Sequence, residues 1–289
     1  MVFVGGEHAL AGTVSASSLL RLLRSPLKSG NHVLQPRSIT PIMILPDQAT
    51  GDRVVAARKD ARERRLYESL RERELYSYYE SVLAYANTEP KYCDLYSPEA
   101  VSEHRAITSS DTTLTAFVQL AALQIGTRRS MVFFFDAEYA YIIAESTRTL
   151  SLQDGSKHGP DDALWLGFTK IPRGFSVCEV TADLPLNDGS NAQDPHSASV
   201  AHIINNLTED IRFCDRPYVK GGPKARFYAG VPITTPRGIN IGALCVLDDK
   251  PRDGLQPGEV EFLQSMASTI MSHLELVLQT SADRSCNEA

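Results

Sequence analysis

The chain has 289 residues, 43% of them hydrophobic, and carries a formal net charge of -6. That length and apolar content suffice for one large domain or two small ones around a buried core. The acidic balance excludes the Lys- and Arg-rich footprint by which nucleic-acid binders displace phosphate counterions.

Residues 1–50 carry scattered Gly, Ser and Pro without a period of 2 or 3.6, and are expected to form a disordered leader. The N-terminus has no basic segment ahead of an apolar run, and runs such as PIMILP are far short of the ~20 residues that cross a bilayer. A cytoplasmic protein with no membrane partner is expected. From Asp52 the composition turns Gly- and Pro-free, predicting a helix through RVVAARKDARERRLYESLRERELYSYYESVL. Leu66, Tyr67, Leu70, Leu75, Tyr78, Tyr79 and Val82 form its apolar stripe, suited either to lying on the domain or to pairing with a second copy.

Asn87 to Ser110 reads as loop, with Pro90 and Pro98 as breakers. Ser109, Ser110 or Asp111 can cap the helix TTLTAFVQLAALQIGTRR, which Gly126 is placed to end. SMVFFFD and YAYIIAEST read as a hairpin across an acidic turn at Asp136 to Glu138. Leu150 to Pro185 is irregular, with room for one or two short helices, and Pro185 to Ser199 has the composition of an exposed loop. SVAHIINNL reads as a strand, and YAGVPIT and INIGALCVLD as a hairpin whose turn uses Pro236 and Gly238. GALCVL is apolar throughout, as for a central strand covered on both faces. A closing helix follows Pro257, with Phe262, Leu263, Met266, Ala267, Ile270, Leu274 and Val277 at helical spacing. The order predicts an α+β domain with a mainly antiparallel sheet over residues 51–280, then a flexible tail over 281–289.

Signals for chemistry are sparse. No GxSxG, HExxH, P-loop or GxGxxG occurs, so no catalytic residue is assigned. KGGPK at Lys220 to Lys224 lacks the following helix that a phosphate cradle requires. The pairs Asp161-Asp162 and Asp248-Asp249 sit at turns or strand ends, where Asp serves local hydrogen bonding. The five cysteines show no zinc-like spacing, and no metal site is expected. Free thiols in a reducing compartment fit them, with Cys178, Cys214 and Cys245 near the sheet.

The run NLTEDIRFCDRPYVKGGPKARFYAGVPITTPRGINIGALCVLDDKPRDGL resembles the second half of a GAF domain. The matching positions are Asp210, Arg212 and Phe213; Phe227 to Gly230; Gly242, Leu244, Cys245 and Asp248; Pro251 and Arg252. RERELYSYYE, the helix from Asp111, the strand YIIAESTRTLSLQ, LWLG and PRGFSVCEVT resemble the N-terminal GAF regions of fungal hybrid histidine kinases. The likeness covers roughly Arg62 to Leu278.

The resemblance implies a GAF fold: a central antiparallel sheet of about six strands, the N- and C-terminal helices on one face, loops and short helices on the other. It implies a non-catalytic sensory or regulatory domain of two-component signalling, homodimeric through its terminal helices. No phosphoacceptor box, ATP lid or receiver domain occurs here, so the chain is either a sensor fragment, with histidine kinase and receiver domains as partners elsewhere in a longer protein, or a protein that has lost its output. A small-molecule pocket would be lined by Trp165, Phe175, Cys178, Phe213, Tyr218, Phe227 and Tyr228, with Arg212 or Arg226 for an anionic group. The cofactor stays open, because neither the Asn-Lys-x-Phe-Asp-Glu pattern of cyclic-nucleotide-binding members nor a bilin-attachment context is found. Two alternatives remain: a scaffold that only dimerises, its cavity filled by its own side chains, and an enzyme resembling GAF-type free methionine sulfoxide reductases. The latter needs two cysteines within disulfide reach at one pocket.

Overall fold

Seven strands form one sheet in the order β1-β4-β3-β2-β7-β6-β5. The computed structural model describes residues 61–78, 91–153, 157–184 and 201–287, so the expected leader and the loop at Pro185 to Ser199 lie outside the described residues. In chain order the elements are helix α1 (residues 61–78), β1 (Lys91–Tyr92), α2 (Pro98–Glu103), α3 (Thr112–Ile125), β2 (Arg129–Phe135), β3 (Tyr139–Thr147) and β4 (Thr169–Pro172). There follow α4 (Val177–Ala182), β5 (His202–Ile204), α5 (Pro217–Lys220), β6 (Phe227–Thr234), β7 (Asn240–Asp248) and α6 (Pro257–Asn287). Six strands pair antiparallel, and the two-residue β1 adds a parallel edge beside β4. This is the α+β GAF arrangement. No helix among the described residues is long and apolar enough to cross a membrane.

Period-2 alternation divides the strands between two cores. Val132, Phe134, Phe227, Val231, Leu244 and Val246 face a helix layer built from Leu114, Val118, Ile125, Leu263, Ile270 and Leu274 of α3 and α6, with Leu75 of α1. Their neighbours Met131, Phe133, Phe135, Tyr228, Ala243, Cys245 and Leu247 face the opposite way, under α4, α5 and the loops. β7 is buried from Asn240 through Leu247, as GALCVL predicts.

Local chemistry sets the helix ends. Asp111 Oδ1 accepts the Leu114 N–H at 2.9 Å, and Asp111 Oδ2 accepts His273 Nε2 of α6 at 2.8 Å. Gly126 ends α3 at φ 71°, and Arg252 Nη1 donates to the Ile125 carbonyl at 2.9 Å, capping the same turn. Burial works against the Asp111 carboxylate, but the His273 and backbone hydrogen bonds win and hold its pKa below the ordinary 3.8. A carboxylate lowered in the folded state stabilises above its unfolded pKa, and the benefit is lost as pH falls through the folded value. Asp111→Ala is therefore expected to cost about 1–2 kcal/mol in urea melts at pH 7 and to cost less in melts begun well below pH 4. An equal cost at both pH values would contradict this.

Several elements differ from expectation. The loop at Asn87 to Ser110 contains β1 and α2, and Leu150 to Pro185 contains β4 as well as α4. Within SVAHIINNL only His202–Ile204 pairs, forming a three-residue edge. α6 continues as helix to Asn287, inside the segment expected as a tail. On α1 the stripe is rotated: Leu66 is 63% exposed, whereas Leu75 and Arg71 are completely buried. Arg71 wins this place because its guanidinium reaches the Asn240 carbonyl at 2.9 Å, the Ala182 carbonyl at 3.2 Å, Asp183 at 2.6 Å and Glu68 at 3.0 Å.

Candidate functional site

On the face away from the helix layer, β2, β6 and β7 form a wall covered by α4, α5 and the Trp165 loop. The cavity left beneath that cover is ≈ 30 Å³, room for a water or two and far below the ~300 Å³ of a drug-sized site. Trp165, Phe175, Cys178, Tyr218 and Tyr228 line it as expected, joined by Phe133, Leu166 and Cys245. Trp165 and Tyr218 meet edge to face at 6.1 Å. Tyr218 Oη is buried without a protein partner, and burial raises its pKa well above the ordinary value.

Four expected residues lie elsewhere. Phe227 is on the helix side, because adjacent strand residues point to opposite faces and its neighbour Tyr228 takes the cavity side. Phe213 is buried in the cavity-side core but does not touch the cavity. Arg212 is turned to solvent and grips Asp210 through Nε at 3.0 Å and Nη2 at 2.6 Å. Arg226 donates Nη1 to the carbonyls of Val219, Lys224 and Ala225, each at 3.0 Å, outside the cavity.

The Phe-Tyr-Ala-Gly strand is explained by Tyr228. A Cβ on Gly230 would fall 2.3 Å from Tyr228 Oη, so glycine two residues on leaves the phenol room to lie along the strand. The hydroxyl then meets Thr181 Oγ1 at 2.6 Å and donates to Cys178 Sγ at 3.3 Å. Cys178 and Cys245 both line the cavity, and burial, then the neighbouring Cys178, pushes the Cys245 thiol well above its ordinary pKa. Two cysteines thus meet at one cavity, but Cys245 is held protonated, the less reactive form.

The Trp165 loop is fastened by a residue the sequence reading passed over. The Glu145 carboxylate accepts the backbone N–H groups of Trp165 at 2.7 Å, Leu166 at 2.8 Å and Gly167 at 2.6 Å. It also ion-pairs with Arg129, and both side chains are nearly out of solvent. Burial, then the neighbouring Arg128, lowers the Arg129 pKa to about 10, so the guanidinium stays protonated at pH 7. The signal was available: in the β2–β3 register Arg129 faces Thr147, which sets Glu145 diagonally across on the same face.

The acidic pairs have structural duties. Asp162 accepts the hydroxyls of Thr147 at 2.6 Å and Thr149 at 2.5 Å and the Gly159 N–H at 2.9 Å. Asp249 and Asp161 both pair with Arg128. Among the described residues no group of three or more His, Cys, Asp or Glu is placed to hold a metal. A second, polar cleft of ≈ 580 Å³ opens on the outer side of Trp165, between the Trp165 loop and the loop before β6.

The fold and the two-faced sheet define an α+β domain, and the family follows from the sequence match. The GAF domain model matches residues 109–274, more than half of the chain, and the chain belongs to the GAF domain family. A cyclic di-GMP phosphodiesterase of Pseudomonas aeruginosa is 42% identical over 77 residues, which are 27% of this chain and 13% of that relative. Among solved structures, the GAF domain of PixJ from Thermosynechococcus elongatus in its blue-light-absorbing form is 16% identical with a TM-score of 0.41, covering 60% of this chain and 90% of that one. A domain of a putative two-component sensor histidine kinase protein from Sinorhizobium meliloti is 14% identical with a TM-score of 0.38, covering 62% and 99%.

Proposed function

We propose that the chain is a non-catalytic regulatory module of signal transduction, of the two-component kind, which self-associates through its helix layer. The observation that carries this reading is α6: among the residues of described burial its last core member is Leu274, yet the helix runs on to Asn287. A helix seated on the sheet at one end and extending past it transmits any change in the sheet along its axis. The outer side of the same layer keeps leucines in water: Leu66, Leu70, Leu120, Leu123 and Leu276, the last 60% exposed. Apolar side chains spread over three packed helices suit a second copy of the same surface. Sedimentation equilibrium is expected to give a dimer for the full chain and a folded monomer for the double variant Leu123→Glu, Leu276→Glu. A monomer for the unaltered chain at high concentration would refute the reading.

The Cys178–Cys245 contact favours a second reading, a redox enzyme like the free methionine sulfoxide reductases. The ≈ 30 Å³ cavity and the protonated Cys245 weigh against it. Turnover of free methionine sulfoxide by the purified chain would reverse that judgement.

A further inference from the structure

Trp165 lines both the small apolar cavity and the larger cleft, so it is the partition between them. The cleft's other walls are charged: Arg128, Arg129, Lys224 and Arg226 against Asp161 and Asp249. Most of that charge is already matched. Arg128 is held by Asp161 and Asp249, and Arg129 by Glu145. Lys224 and Arg226 are left with no carboxylate among the described residues; Arg226 Nη1 meets only backbone carbonyls. Among the described residues the cleft thus holds two cations without a carboxylate partner beside an indole, in a space large enough for a small molecule.

The loop that brings them there is under strain. Among the described residues Lys224 is the one non-glycine with positive φ, at 49°, a conformation that favours glycine. Gly222, at φ 50°, packs against the indole so closely that a Cβ there would sit 2.8 Å from Trp165 Nε1. Glycine would relieve that strain at position 224, yet a lysine stands there and lines the cleft.

We propose that this cleft, not the small apolar cavity, is the effector site, and that it takes a small phosphate monoester bearing an apolar ring. Two cations without carboxylate partners match the dianion of a monoester, which carries about -1.5 to -2 charges at pH 7, better than a single carboxylate. The phosphate sits between Lys224 and Arg226, and the ring lies on Trp165. Occupancy presses on the Trp165 loop, and through Glu145 on β3, which ties the site to the regulatory reading above without depending on self-association.

Trp165 is the sole tryptophan of the chain, so its fluorescence reports on the site directly. The full chain is titrated with phenyl phosphate, inorganic phosphate and phenol, and the titrations are repeated with Lys224→Gly and Arg226→Gln. Phenyl phosphate is expected to give a saturable change, inorganic phosphate a weaker one and phenol none. Lys224→Gly should melt no lower than the parent, since its strain is relieved, yet bind phenyl phosphate about ten-fold more weakly, the worth of one charge-assisted contact. Arg226→Gln should weaken binding similarly. The proposal is overturned if phenyl phosphate produces no saturable change, if phenol binds as tightly, or if Lys224→Gly binds unchanged. The mass of the same samples by light scattering separates this result from the dimer reading.

Discussion

Glu145→Leu is expected to be the most damaging single change in the domain, lowering stability by about 3–5 kcal/mol. The substitution removes one carboxylate and strands four groups: the Trp165, Leu166 and Gly167 amides and the Arg129 guanidinium. Leucine fills much of the space but accepts no hydrogen bond, and unpaired buried donors each carry a desolvation penalty. Urea melts would measure the loss. Emission from Trp165 should also shift to the red, because the loop no longer holds the ring against Tyr218. Glu145→Gln, which keeps one acceptor oxygen, should fall between. Parent-like melts together with unmoved emission would show that the loop is held by something else.

Arg71→Leu is expected to cost about 3 kcal/mol and, more tellingly, to loosen α1 alone. The guanidinium is the junction between α1, the end of α4 and the start of β7, bonding Glu68, Ala182, Asp183 and Asn240. Leucine leaves the Asn240 carbonyl without that donor while Leu75 still packs. Amide exchange should therefore quicken in residues 61–78 and stay slow in α6. Uniform loss along both helices would mean that α1 and α6 open as one unit.

What could be read in advance follows from how local each cause is. α3 was legible because its apolar spacing, Asp111 cap and Gly126 stop all lie within its own residues. β6 and β7 were legible from β-rich runs either side of a Pro-Gly turn, and their family motif fixed the architecture. α1 was misjudged for the opposite reason: Arg71 is buried by carbonyls more than 100 positions away, and no local pattern announces them. The site was half legible. Aromatic residues on the irregular segments do line the cavity, but Phe227 and Tyr228 were placed together although adjacent strand positions diverge, an error that alternation alone could correct. Glu145 and Arg129 were passed over because each looks like an isolated charge in an apolar strand until the two strands are set in register.

The two margins of the sheet are β1 and β5, of two and three residues. Short edge strands offer an incoming chain few free backbone amides to template on, which discourages fibre-like stacking at β1 and β5. β5 covers only Tyr228–Gly230 of β6, so beyond Gly230 the outer edge of β6 has no strand beside it among the described residues.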